Sequence, residues 1–455
     1  MQMKLIDRIL EENGRIHFIG IGGIMMSVLA LELKRRGANV SGSDRDMSET
    51  VSMLISNGIP VQHGHMPEVI DGASLIVRNA AIKDDFPDIV RARELGIPVM
   101  ERPELLGLLM KDYACPICVA GTHGKSTTSA MLTSAMMAAG CDPTAFLGAV
   151  LPEIGGAYTL GAKDYFVAES CEYRDSFLNL FPRIAVILNV EEDHLDYFSG
   201  IDHIVSSFAR FGSLVGKDGC VVYNADNQNA VKAANMSGRK TVGFGVENGE
   251  YRAMNVSLSD GYPKYELFKN GVHLADISLS IPGMHNVFNS LAVAAAMDVC
   301  GIAPSVIASG IKQFGGVLRR FQRVGELNGA DVIDDYAHHP DELKATINTA
   351  RSMGDHRVVC CFQPHTYTRT AALLDDFVQA LSLADKVIVT DIFAAREKNT
   401  VGITSEDITD RIDNSEYIPS LEGCEKRLRE LVRAGDIVLV CGAGSITKVA
   451  KNIVK

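Results

Sequence analysis

Three things are missing from this 455-residue chain, and each absence removes a class of function. No apolar run reaches the roughly 20 residues a membrane-spanning helix needs; stretches such as CPICVA and VIVTDIF are strand-length. Basic residues are not in surplus: 44 Lys and Arg face 56 Asp and Glu, a net charge of −12, with no basic stripe to track a nucleic-acid backbone. No second CxxC accompanies Cys115 and Cys118. Those two fall in an apolar strand, as do the adjacent Cys360 and Cys361, so the ten cysteines read as buried reduced thiols. The first residues, MQMKLIDRILEENGR, place acids among apolar positions and lack a small-residue cleavage site, so the expected compartment is cytoplasmic, with no membrane insertion.

What is present is the balance of a globular protein, 47% apolar and 22% charged, at a length that predicts about three domains. Short apolar strands alternate with amphipathic helices almost throughout, the signature of an α/β fold with parallel sheets. RIHFIG, a glycine loop, a helix near Met25–Arg36 and the strand ANVSGSD open a Rossmann-like first domain, residues 1–112, which also holds the strand SLIVRNAAI and closes on a connecting helix in ERPELLGLLMKD. A central, P-loop-type domain, residues 113–318, runs from CPICVA through DYFVAES, IAVILNV and GCVVYNAD. It then changes texture: YRAMNVSLSDGYPKYELFKNGVHLADISLS alternates apolar and polar residues around Asp260-Gly261 and Asn270-Gly271, which predicts a small antiparallel meander. A second Rossmann-like domain, residues 319–455, holds the strands DVIDDY, HRVVCCFQP, DKVIVTDIF and DIVLVCGAG.

The strongest chemical signal is Gly121-Thr122-His123-Gly124-Lys125-Ser126-Thr127, set between a strand and a helix. Backbone N–H groups at a helix start cradle phosphate oxygens, a lysine neutralises them, and a hydroxyl can ligate magnesium. Lys125 is expected to stand exposed there, so that its truncation would spare the fold. The N-terminal loop Gly20-Ile21-Gly22-Gly23, with Ser27 behind it, resembles half of a dinucleotide fingerprint, with Asp44 placed as a ribose-binding acid; Met25 sits where the third glycine belongs. The loop therefore reads as a phosphate or diphosphate site, and a nicotinamide oxidoreductase would rest on it alone. Glu169 and His194 are read at the ends of neighbouring strands, and two polar clusters, Asp334–Pro340 and Gln363–Thr370, follow strands of the last domain, where open α/β sheets bind ligands.

Taken in order, HFIGIGGIMMS, SGSD, AGTHGKSTT, NVEEDHLDYF, PGMHNVFN, RRFQRVGEL, DDYAHHPDE, QPHTYTRT and CGAGSITKVA resemble the motifs of the Mur ligases. The resemblance implies an ATP- and Mg2+-dependent ligase that activates the lactyl carboxylate of UDP-N-acetylmuramate as an acyl phosphate and joins it to L-alanine. A ligase attaching a preformed peptide to the same sugar nucleotide shares nearly every motif and remains the alternative. By position, Gly121, Thr122, His123, Gly124, Lys125, Ser126 and Thr127 would hold ATP, with Asn286, Asn289, Arg320 and Asp335. Ser126, Glu169 and His194 would place the metal. Lys125, Glu169, His194, Arg320 and Asp335 would carry catalysis. Gly20, Gly22, Gly23, Ser27 and Asp44 would bind the UDP-sugar, and Tyr336, His338 and Arg369 would face the amino acid. Thr366, Ala337 and Arg396 depart from the family pattern on the amino-acid side. The stretch IDHIVSSFARF carries no lysine to be carbamylated, as one is in several family members. Because the ATP residues are split at the second boundary, a hinge near Val317–Arg323 is expected, with Gly315-Gly316 supplying backbone freedom.

Overall fold

In the computed structural model, which describes residues 2–79, 81–194 and 197–454, three sheets follow one another along the chain. Ala80 of SLIVRNAAI, and Leu195 and Asp196 of NVEEDHLDYF, lie outside the described residues. The first sheet has five parallel strands in the spatial order Val61–His63, Asn39–Asp44, Arg15–Ile19, Ala73–Arg78, Val99–Glu101. Arg15–Ile19 lies where the strand order reverses, so the Gly20–Gly23 loop opens into the crevice at the switch point.

The second sheet has ten strands. Cys115–Ala120 lies between Tyr165–Glu169 and Ile184–Ile187 and is parallel to both. This corrects the sequence reading, which made the last two neighbours. The phosphate-loop strand separates them, and that insertion lets Glu169 and the His194 loop flank the loop from opposite sides. The meander forms as expected from Tyr251–Ser259, Tyr262–Lys269 and Val272–Ser278. Both residues of each predicted turn have positive φ, between 49° and 80°, the conformation a two-residue hairpin needs. On the opposite edge stands an unanticipated hairpin, Thr144–Leu151 with Gly156–Thr159. Its apolar first half lacks alternation, so periodicity alone cannot distinguish it from a helix.

The third sheet orders its six strands as Gln322–Leu327, Ala330–Asp335, Ile437–Cys441, Val358–Phe362, Lys386–Val389 and Ser415–Tyr417. Only the first, an edge strand, is antiparallel to its neighbour. DDYAHHP, QPHTYTR and CGAGS therefore all leave the same, carboxyl end.

The three units are joined differently. One apolar cluster runs from Ile6 to Ala234, with Leu105, Leu106 and Met110 of the helix Arg102–Met110 continuing into Phe177 and Leu180. The first two sheets thus share a core. The third packs its own clusters around Val358–Phe362. It meets the second through polar contacts, among them Arg369 to Asp193 at 3.8 Å and His123 to Glu342 at 3.7 Å. Among the described residues, no helix is long and apolar enough to cross a membrane.

Candidate active site

The Gly121–Thr127 loop is clamped from two sides. Asn189 brackets His123, accepting from its backbone N–H at 2.7 Å and donating to its carbonyl at 3.1 Å, while the Thr122 hydroxyl accepts from the Glu191 N–H at 2.9 Å. From above, the helix His285–Val299 presents Asn286 and Asn289, joined by an amide-to-carbonyl bond of 2.9 Å. Gly124 has φ +84°, and a Cβ there would lie 2.7 Å from Asn289 Oδ1. Both the left-handed backbone and the approaching amide demand glycine. The GTHGK and HNVFN motifs, more than 160 positions apart in the chain, are one packed unit.

Lys125 is not exposed as expected. Its side chain is 16% accessible and donates to the carbonyls of Gly121 and Thr122 and to Glu172 Oε1 at 3.0 Å. Burial opposes its charge, yet Glu172 and Glu169 hold its pKa above the usual lysine value. Glu172, buried at 2%, was missed by sequence reading because its partner is 47 residues away. Beside it, Cys171 is exposed, against the expectation that the thiols are buried.

Glu169 sits under the edge hairpin, where a Cβ on Gly148 would overlap its carboxylate. Among the described residues its buried Oε2 has no hydrogen-bond partner, nor has Oε2 of Glu172. Glu169, Met25 and Arg102 line a cavity of about 100 Å3 between the first and second sheets. Arg102, also missed, is a half-buried cation whose pKa is lowered by desolvation. His194 has φ +54° and lies against Tyr173, ring centroids 4.7 Å apart. Among the described residues no hydrogen bond or ion pair links it to Ser126 or Glu169. Ser126 is buried at the first turn of the helix Lys125–Ala138.

A larger cavity, about 680 Å3, opens between the second and third sheets. It brings His123, Gly124, Thr127, Asn286 and Asn289 to face Arg320 and Asp335. Asp335 accepts from the N–H groups of Ala337 and Phe321 and from the Thr346 hydroxyl, and burial pushes its carboxyl up to about 6. Arg320 stacks on Tyr336 and pairs with Glu342. Glu342 is the hub that sequence reading missed. It accepts from the His338 and His339 backbone N–H groups, lies 3.1 Å from His338 Nδ1 and 3.4 Å from Arg320, and reaches toward His123. Burial opposes its charge, but His338, His123 and Arg320 keep its carboxyl well below the usual glutamate range. The signal for it is in HHPDE: His339 is an N-cap, Pro340 opens the helix, and Glu342 completes a capping box.

Tyr336, His338 and Arg369 gather beside this cavity, with His338 near His365 and Arg369 reaching Asp193. The N-terminal group stands apart. Asp44 accepts from the N–H groups of Gly22 and Asp46, so its oxygens brace the loop, and Ser27 turns its hydroxyl onto the carbonyl of Ile24.

The three sheets thus set a lysine-bearing glycine loop opposite Arg320 and Asp335 across a cleft between domains, the setting of a ligand-binding enzyme site. Three family profiles agree: "Mur ligase family, catalytic domain" over residues 15–114, "Mur ligase middle domain" over 119–297 and "Mur ligase, glutamate ligase domain" over 319–444. The chain belongs to the Mur ligase family. It is 42% identical over 452 residues to the UDP-N-acetylmuramate–L-alanine ligase of Caldanaerobacter subterraneus, covering 98% of both chains, and 42% identical to that of Acetivibrio thermocellus, covering 98% and 97%. Among solved structures it resembles the UDP-N-acetylmuramate–alanine ligase of Thermotoga maritima, TM-score 0.81 at 30% identity over 97% and 98% of the two chains. The murein peptide ligase of Psychrobacter arcticus shares the fold, TM-score 0.70 at 23% identity over 97% and 98%.

Proposed function

We propose that this chain uses ATP to join L-alanine to the lactyl carboxylate of UDP-N-acetylmuramate, as an early ligase of peptidoglycan synthesis. The carrying observation is the 680 Å3 cavity, where the phosphate loop and Asn289 face Arg320 and Asp335 across the domain cleft. Lys125 and the loop N–H groups hold the triphosphate, and Arg320 stabilises charge on the transferring phosphoryl group. The carboxylate enters from the first domain through the smaller cavity, past Arg102 and Met25 to Glu169. There it takes the γ-phosphoryl group to become an acyl phosphate. The alanine amine, positioned by Tyr336, His338 and Arg369, then attacks the carbonyl carbon, and phosphate leaves.

The donors fit a hard divalent cation: Glu169 offers an oxygen with no hydrogen-bond partner among the described residues, and Ser126 offers a hydroxyl in the first turn of the helix Lys125–Ala138. When bound, magnesium neutralises phosphate charge. His194 joins that set in the proposal. Closure of the third domain keeps water from the acyl phosphate, and the polar contacts between it and the second sheet suit a joint that opens. Leu318, whose N–H donates to Val150 O at 3.0 Å, anchors the hinge.

Single amino acids and a tripeptide, each offered with ATP and UDP-N-acetylmuramate, test the reading by phosphate release. L-alanine alone should support turnover. Turnover with the peptide and none with alanine would favour the peptide-ligase alternative, against which the 42%-identical relatives speak.

A further inference from the structure

At the amino ends of the central sheet's parallel strands, opposite the Gly121–Thr127 loop, lies a cavity of about 480 Å3 that the ligation chemistry does not use. Cys115, Cys141, Cys300, Tyr165 and Arg183 line it. Cys115 is the first residue of the strand that ends in the phosphate loop, and Cys300 follows the last turn of the helix that begins with Asn286 and Asn289. Their sulfurs are 3.8 Å apart. We infer that Cys115 and Cys300 form a thiol-oxidation site that a hydroperoxide converts to a disulfide, weakening nucleotide binding at the far end of both elements.

The geometry supports each step. A disulfide needs sulfurs about 2.05 Å apart, so closure moves them by about 1.7 Å. Both residues stand at element ends, where such a shift costs least. The cavity admits a small oxidant, whereas Cys360, Cys361, Cys424 and Cys441 are sealed in the third sheet's core. The hydrogen bond from Cys300 holds the Cys115 thiol below its usual pKa, with burial opposing and Arg183 assisting, which makes Cys115 the nucleophile. Its thiolate attacks one peroxide oxygen, the O–O bond breaks, and hydroxide leaves and becomes water with the thiol's proton. The sulfur of Cys300 then displaces the second oxygen as water, forming the S–S bond. Two electrons pass from the thiols to one hydroperoxide.

The pull is transmitted because the helix His285–Val299 is rigid and buried along most of its length. At its other end Asn289 sits over Gly124 with no room to spare. This coupling rests on the nucleotide reading above; the cross-link itself does not.

The test treats the full-length protein with hydrogen peroxide in the presence of a chelator, then maps disulfides and titrates ADP. A peptide linked through Cys115 and Cys300 is expected, with ADP affinity falling roughly fivefold or more, the lower end of coupling between distant sites, and recovering with dithiothreitol. Cys300→Ser should bind ADP as the parent does and lose the response. Cys115→Ser serves as a second variant. Absence of the linked peptide overturns the proposal. So does a response that persists in Cys300→Ser, which would point to exposed Cys171. Unchanged affinity in fully cross-linked protein overturns the coupling. Failure of the reduced protein to bind ADP would instead sink the nucleotide reading, while the linked peptide still reports on the thiols.

Discussion

Two glycine loops in this molecule begin alike and end differently. Gly20–Gly23 and Gly121–Gly124 both follow a parallel strand at a switch point and lead into a helix. In the first, the nearest carboxylate, Asp44, accepts from the loop's Gly22 N–H and from the N–H of Asp46. In the second, the loop is held by neutral amides, Asn189 and Asn289, and its charge is concentrated in Lys125 against Glu172. A loop braced by a carboxylate suits a ligand held by the remaining backbone donors. A loop with a half-buried, counterbalanced lysine suits one that arrives with several negative charges. The same turn thus acquires two different electrostatic settings according to what is packed behind it.

Lys125→Ala is the most severe way to break that contrast. Phosphate release should fall at least about 100-fold, as when a group stabilising transition-state charge is lost. The fold should suffer as well, by about 3 kcal/mol, because Glu172 is left buried and unpaired. Lys125→Met with Glu172→Gln should recover most of the melting temperature and none of the turnover. A melting temperature unchanged in Lys125→Ala would deny the buried pair.

Glu342→Gln tests whether the second loop depends on the third domain. Turnover should drop about tenfold as Arg320 and His338 lose their shared anchor. Stability at neutral pH should fall by about 2 kcal/mol. Because the folded carboxyl titrates well below 4.5, its stabilisation is complete above that pH and is lost as the pH drops beneath it. The difference between parent and variant, followed by chemical denaturation, should therefore shrink in acid. A constant difference down to pH 3 would contradict the charge-based account.

Gly124→Ala and Gly23→Ala compare the loops directly. The first meets Asn289 in a left-handed conformation and should cost about 2 kcal/mol. The second has φ −63° and no atom nearer than 3.5 Å, so its melting should stay within about 0.5 kcal/mol of the parent. Equal losses would mean that the loops are built alike. Asp44→Asn should fall between these two, at about 1 kcal/mol from one weakened bond to Gly22. A large loss of UDP-sugar affinity without that stability change, measured calorimetrically, would restore Asp44 as a direct ligand.

Much of this was legible from local pattern. The three α/β runs, the meander with its two turns, and both glycine loops are written in short stretches whose spacing a single element explains. The pieces that escaped share a physical cause. Glu172, Arg102 and Glu342 matter through partners 47 residues away, in another domain, or in several loops at once. The edge hairpin at Thr144–Thr159 escaped because a buried apolar run has no period of its own.

The amino-acid sequence by itself determined where the two glycine loops lie and which strand ends carry polar clusters, because turn residues and short polar motifs act over a few positions. Only the tertiary structure decided that the strand before Gly121 lies between Tyr165–Glu169 and Ile184–Ile187, that Asn289 closes on Gly124, and that Lys125 is half-buried against Glu172. Those facts depend on strand order and packing between distant segments. Strand order follows from how the whole sheet buries its faces, which no local stretch of chain encodes.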